Sequence, residues 1–370
     1  MTIVISKAER ILFVSMKRLI LFLFVISNGI ASSAAVAQKI PSQLSDQQFW
    51  KISSESSEPD GSFRSDNLLS NELYFQWVIP DLTKTAKTGR VYMGVGPEQN
   101  FTYIVALKPK IAFIVDIRRG NLDLHLMYKA LFELSKDRAE FVSKLFSRKR
   151  PESLTTQSSI EEIFTAVSKV QASEEIYKEN LAAITNHLKV KRGFAISNDD
   201  VGGIEYVYRN FFTYGPGINY GSSTGGFGGG GGRATYQMLM TATDEAGQFR
   251  SYLANEDNFL FLKELETKNL LVPVVGDFSG PKAIRAVGKY LREIDATVSA
   301  FYLSNVEDYL YRGGVWTNFC ENVATLPLDE TSTFIRSVRG GRYGFGGGGL
   351  NSDLGNMAAE VKNCSLRARN

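Results

Sequence analysis

Two rhythms of apolar and polar positions run along this chain. Short, mostly apolar runs occur at Val91 to Val95, Ile111 to Ile117, Leu270 to Val275 and Thr297 to Leu303, each closed by a polar or glycine-bearing turn. Runs of that length without alternation suit strands buried on both faces, the pattern of a parallel sheet. Between them the period changes. "NLDLHLMYKALFEL" puts Leu122, Leu126, Ala130 and Leu134 on one stripe with Leu124, Met127 and Leu131 beside it, which is helical spacing. A second such stripe, Ile284, Val287, Leu291 and Ile294, follows Pro281, placed where a first-turn proline is favoured. "TSTFIRSV" supplies a last strand. The alternation predicts an α/β fold, Rossmann-like, with a mostly parallel sheet flanked by helices.

Four stretches fall outside that alternation. Residues 38–85 read as an N-terminal lead-in with one helix, which begins at Ser65 or Asp66, carries Leu68, Leu69, Leu73, Phe75 and Val78, and stops at Pro80. Residues 86–340 form the α/β domain, and 136–212 within it read as a helical insertion, with Ser159 and Glu162 spaced as a capping box. Residues 215–233 are a glycine-rich loop of low complexity. That loop ends in Gly-Gly-Arg, where a phosphate-binding loop requires Gly-Lys-Ser or Gly-Lys-Thr, and "GFGGGG" (Gly344 to Gly349) is also read as a plain loop. Residues 341–370 are left as a C-terminal tail.

Composition changes the picture at the N-terminus. Met16-Lys17-Arg18, the apolar Leu19 to Ile30 and the small-residue end Ala35-Val36-Ala37 have the layout of a signal peptide over residues 1–37. The apolar part is short for a membrane span. The expectation is an exported protein, periplasmic or extracellular, with no stable membrane span after cleavage. The whole chain has 42 basic and 39 acidic residues; Lys7, Arg10, Lys17, Arg18 and Glu9 lie in the first 37, so the remainder carries 38 of each. A balanced charge argues against nucleic acid as a partner. Cys320 and Cys364 are the two cysteines; their spacing leaves open a disulfide or two free thiols.

Ligands of an open parallel sheet collect beyond the carboxyl ends of its strands. Gly94-Val95-Gly96, Asp116, Asp277 and Ser304-Asn305 all stand there, and Asp116 follows Gly96 by 20 residues, the spacing of an acid that accepts from ribose hydroxyls. A nicotinamide-dinucleotide fingerprint requires a third glycine where Gln99 stands, which disfavours that cofactor. The two histidines, His125 and His187, are 62 residues apart, and His125 within its apolar helix reads as a packed histidine. No nucleophile elbow, zinc spacing or calcium loop is present. The run "SDNLLSNE" (Ser65 to Glu72) is read as capping and a solvated face, in preference to an overhang above the pocket mouth.

"VYMGVGPEQNFTYI", "FIVDIRRGNLDLHLMYKALFEL", "VVGDFSGPKAIRAVGKYL" and "FYLSNVE" resemble, across roughly residues 60–340, an uncharacterised bacterial protein family with a class I S-adenosylmethionine-dependent methyltransferase-like fold. The resemblance implies S-adenosylmethionine as cofactor. Gly94 and Gly96 would line its methionine portion, Asp116 its ribose, and Asp277 with Phe278 its adenine. Ser304, Asn305 and Tyr302 would be the candidate catalytic, substrate-facing residues, with Tyr92, Phe278 or Tyr302 available for a cation–π contact to the sulfonium. The chain departs from the usual pattern at Tyr92, where an acid is common, and at Glu98, where a third glycine is common. The function implied is methyl transfer to an unidentified substrate; the alternative is an exported, non-catalytic binding or interaction protein that retains the fold, its partner an unidentified small molecule or protein.

The export reading predicts that the mature protein starts at Gln38. N-terminal sequencing of the native protein is expected to begin there; an intact segment before Ala37 in a cytosolic fraction would contradict it.

Overall fold

The computed structural model describes residues 39–223, 234–344 and 350–364. The expected signal peptide over 1–37 and most of the two glycine-rich runs lie outside the described residues. Six strands form one sheet: β1 (Val91–Gly94), β2 (Ile111–Asp116), β3 (Leu271–Val275), β4 (Val298–Ser304), β5 (Thr333–Arg339) and β6 (Leu350–Asn356). Their order is β3-β2-β1-β4-β5-β6, with the first five parallel and β6 antiparallel to β5. Strands β1, β2 and β3 are buried at every residue, which is why they read as continuous apolar runs. The architecture is a Rossmann-like α/β fold. The order reverses between β1 and β4, and this sets the crevice where a ligand is expected.

Helices cover both faces. α1 (Asp46–Ser56) comes first, then α2 (Ile79–Thr85). α3 (Gln99–Leu107) joins β1 to β2, and α4 (Arg119–Leu134) follows β2. The stretch read as a helical insertion holds α5 (Arg138–Leu145), α6 (Ile160–Ser168), α7 (Glu174–Asn186), a π turn at His187–Lys191 and α8 (Asn198–Tyr214). α9 (Tyr236–Thr241) and α10 (Glu256–Thr267) lead back to β3. α11 (Ala283–Glu293) links β3 to β4, α12 (Val306–Arg312) and α13 (Trp316–Ala324) link β4 to β5, and α14 (Met357–Lys362) follows β6. The Ser159–Glu162 capping box starts α6 as its spacing implies. Among the described residues no helix is long and apolar enough to cross a membrane.

The lead-in departs most from its sequence reading. No helix begins at Ser65; the chain there runs through turns, and Asn67 holds φ +53°. Pro80 does not stop a helix but opens α2, because the amide it lacks would be unpaired in a first turn anyway. Pro281, by contrast, lies before α11, whose N-cap is Lys282. In place of one helix the lead-in holds two, α2 and the earlier α1, which is held by a capping box in which Ser45 and Gln48 bond each other's backbone amide.

This lead-in closes an open edge of the sheet. β3 is the edge strand, which explains how it tolerates Pro273 in its middle. Ser53 Oγ donates to Pro273 O at 2.6 Å, Val275 N–H donates to Ser57 Oγ at 2.9 Å, and Glu58 N–H donates to Val275 O at 2.8 Å. Polar backbone that would otherwise template association is thereby satisfied. The opposite edge is closed by β6, in the stretch read from the sequence as a tail. Its "LNSDLGN" lacks the apolar run of a buried strand, as one expects of an edge that pairs on one side only.

Cys320, in α13, is bonded to Cys364, just beyond α14, across 44 residues. In the chain-entropy picture a loop of that length is worth about 4 kcal/mol, and measured values for native bridges are typically about 2–4 kcal/mol. The Cys320→Ser/Cys364→Ser double variant is therefore expected to unfold about 2–4 kcal/mol more easily in urea. An unchanged midpoint would mean that the bridge adds nothing to the fold.

Candidate functional site

The loop after β1 is built by two glycines with different jobs. A Cβ on Gly94 would run into the buried Asn100 side chain, so glycine lets the strand end close against α3. Gly96 adopts φ +76°, a conformation that favours glycine. Asn100 Nδ2 lies within hydrogen-bonding distance of the carbonyl oxygens of Val95, Gly96 and Pro97, at 2.9, 3.2 and 2.7 Å. His125 Nε2 also donates to Gly96 O at 2.9 Å. The loop's carbonyls thus turn inward. Gly96 itself lines a cavity of about 430 Å³ beyond the carboxyl ends of β1 and β4.

That cavity brings together most of the residues expected from the sequence. Asp116, Asp277, Phe278, Tyr302, Ser304 and Asn305 all line it beside Gly96. Gly94 does not; it packs behind the loop. Tyr92 is fully buried and donates to Asn100 Oδ1 at 2.9 Å, so it does not face the cavity as a cation–π partner.

Asp116 is already engaged. The Arg118 amide donates to its Oδ1 at 2.9 Å, and the Arg118 guanidinium pairs with it, Nε to Oδ1 at 3.2 Å. Both side chains are nearly buried, so a ligand hydroxyl would share this carboxylate with Arg118. Asp277 closes a tight turn: Ser279 N–H and Oγ donate to its Oδ1 at 2.7 and 2.8 Å. Glu58 crosses from the lead-in to accept from the amides of Asp277, Lys282 and Ala283 at 3.0, 2.8 and 2.9 Å, which caps the start of α11 with an acid. Phe278 stacks on Phe319, with ring centroids 5.8 Å apart.

Ser304 ends β4 with φ +50°, where the pairing with β5 shifts register between Tyr302 and Ser304. A non-glycine residue in that region stores strain, and a bulge there re-aims side chains at a strand end. Here the re-aimed hydroxyl meets Glu72. Glu72 Oε1 accepts from Ser304 Oγ at 2.7 Å and from Tyr302 OH at 2.9 Å, and its Oε2 accepts from Gln99 Nε2 at 2.8 Å. Glu72 is 6 % exposed and lines the cavity.

Phe63, Arg64, Asn67 and Ser70 line the cavity with Glu72, so the lead-in forms its outer wall. The sequence reading favoured capping and a solvated face for Ser65 to Glu72. Its only contrary signal was the density of polar residues directly before the first strand.

Glu98, which replaces the usual third glycine, lies behind the loop and is fully buried. Its Oε1 accepts from Ser70 N–H at 3.2 Å, while Oε2 has no hydrogen-bond partner among the described residues. Burial pushes its carboxyl up to about 8. His125 moves the other way: burial lowers it to about 4, so its imidazole is neutral at pH 7 and suited to a structural hydrogen bond. Among the described residues no group of three His, Cys, Asp or Glu is placed to hold a metal ion.

These features define a Rossmann-like α/β protein with a polar, partly aromatic pocket at the reversal of its strand order. A family model described as a domain of unknown function (DUF7790) matches residues 68–198 and 233–360, and the chain belongs to that family. The matched stretches contain Glu72, Gly96, Asp116, Asp277 and Ser304. No curated protein matches the chain.

Glu98 carries a pH prediction. Between its ordinary value of 4.5 and about 8 the folded state keeps a proton that the unfolded state has lost, so this group's contribution falls as pH rises through that window. Glu98→Gln removes the penalty. The variant is expected to match wild type near pH 4.5 and to exceed it by about 3 kcal/mol at pH 7, from about 1.4 kcal/mol per unit. Urea unfolding at several pH values measures this. A gap that does not widen with pH would show that Glu98 is not held neutral.

Proposed function

We propose that the cavity binds a nucleoside ligand of the S-adenosylmethionine type and that the protein is a methyltransferase-like member of its family, exported, with an unidentified substrate. One observation carries this reading: Gly96, Asp116, Asp277 and Phe278 converge with Ser304 and Asn305 on one cavity at the strand-order reversal. In this pose the ribose lies at Asp116 and the adenine at Asp277 and Phe278. The reacting end then lies at Gly96, Tyr302, Ser304 and Asn305. Transfer of a methyl group needs mainly alignment of donor and acceptor, which a preformed cavity of this kind supplies.

A second reading keeps the fold and loses the chemistry. The Cys320–Cys364 bridge suits an oxidising compartment outside the cytosol, and Arg118 occupies the carboxylate that a ribose would use. Both favour an exported binding protein without catalysis.

Calorimetric titration with S-adenosylmethionine and S-adenosylhomocysteine is the first test. If Asp116 holds the ribose, Asp116→Asn should weaken binding by about 1.5–3 kcal/mol, the range for a hydrogen bond to a charged group, or roughly ten- to over a hundredfold. Asparagine is preferred to alanine because it still gives Arg118 an acceptor. No binding by the wild type at millimolar ligand would reject the nucleoside reading. Unchanged binding by the variant would reject the role of Asp116.

A further inference from the structure

We infer that Glu72 makes the inner end of this cavity a site for an organic cation, a sulfonium or quaternary ammonium group. This deepens the nucleoside reading by assigning the onium centre of its ligand, but it stands on separate observations.

The first is an uncompensated charge. Glu72 is 6 % exposed, accepts from three neutral donors, and makes no ion pair among the described residues. Removing a carboxylate from water is costly unless a cation compensates it. The two guanidiniums that line the cavity do not serve. Arg118 pairs with Asp116, and its Nη1 also bonds Asp66 O; Arg64 is exposed and donates to Tyr309 OH at 2.8 Å. A carboxylate held by a tyrosine, a serine and a glutamine in a lined cavity is pre-arranged for a cation that arrives with the ligand.

The second observation is the wall. Phe63, Tyr220, Phe278, Tyr302 and Tyr309 line the same cavity, and aromatic faces attract organic cations. Asp277 adds a third carboxylate to Glu72 and Asp116. An acidic floor with aromatic walls disfavours phosphate and selects a soft, weakly hydrated cation. Tyr302 belongs to both sets, since it lines the cavity and its hydroxyl donates to Glu72.

The inference separates two nucleosides that differ in one charge. S-adenosylmethionine carries a sulfonium; S-adenosylhomocysteine carries a neutral sulfide. The full-length wild type is expected to bind the first about tenfold more tightly, the scale of one desolvated cation–π or charge contact. Glu72→Gln, whose fold is verified by thermal unfolding, should bind both equally. Choline and its neutral isostere 3,3-dimethylbutan-1-ol provide a second pair that needs no nucleoside and no variant. A preference for the sulfonium that Glu72→Gln abolishes supports the inference. Equal binding of both nucleosides by the wild type, or a preference that survives Glu72→Gln, overturns it while leaving the nucleoside reading intact. If neither nucleoside binds but choline outcompetes dimethylbutanol, the cation site stands and the nucleoside reading falls. If no charge preference appears in either pair, the inference is wrong.

Discussion

The carboxylate of Glu72 joins parts of the chain that are far apart in sequence. Its acceptor oxygens hold Tyr302 and Ser304 of β4, 230 and 232 residues on, and Gln99 at the start of α3, 27 residues on. Strand β4 and the helix that follows β1 are thereby tied to the lead-in beside the point where the strand order reverses. Glu72 shares that work with the Ser70 amide on Glu98, Arg118 on Asp66 O and Arg64 on Tyr309 OH, which also hold the outer wall formed by residues 62–72. The other end of this wall is anchored by Glu58, which caps α11, and by the bonds of residues 53–58 to the open edge of β3. Two glutamates, Glu58 and Glu72, thus hold the two ends of the irregular segment that walls the cavity.

Much of the α/β core was legible, because burial on both faces leaves mostly apolar runs, and helical stripes separate them. Asp116, Asp277 and Ser304-Asn305 were legible as site candidates for a related reason: each is the first polar group after such a run. The lead-in was not. Leu68, Leu69, Leu73, Phe75 and Val78 match a helix because all but the partly covered Leu73 are buried, yet the first three lie in irregular chain and only Phe75 and Val78 in a single 3-10 turn. Periodicity registers burial and not the path that achieves it. Pro80 illustrates the ambiguity, since the same residue ends one helix pattern and starts another. β6 was missed because a strand paired on one side in a polar setting carries little hydrophobic signal. Glu72 was missed for a different reason: its meaning lies in residues more than 200 positions away.

Charge buried away from the cavity supports the same arrangement. Arg192, at the end of the π turn after α7, donates to Glu133 at the end of α4, Nε to Oε2 at 2.8 Å, and to Asp46 at the start of α1, Nη1 to Oδ1 at 2.9 Å. His187 adds a bond to Glu133 at 2.7 Å. Against its burial, the hydrogen bond from His187 and the charges of Lys129 and Arg192 hold the Glu133 carboxyl down to about 2. Glu266, nearby and fully buried, is instead raised to about 8 by desolvation. The network fixes where α1 starts relative to the insertion and so sets the course of the lead-in toward Glu58 and Glu72. Breaking a buried pair on one side is costly, which gives such a network value for specificity of arrangement more than for net stability.

The measurement closest to the central claim is a crystal structure of the protein grown with saturating S-adenosylhomocysteine. Ligand density is expected between Gly96, Asp116 and Asp277, with the sulfur end toward Glu72 and Tyr302. Density at another place on the molecule, or an empty cavity at saturating ligand, would contradict the assignment of this pocket as a nucleoside site.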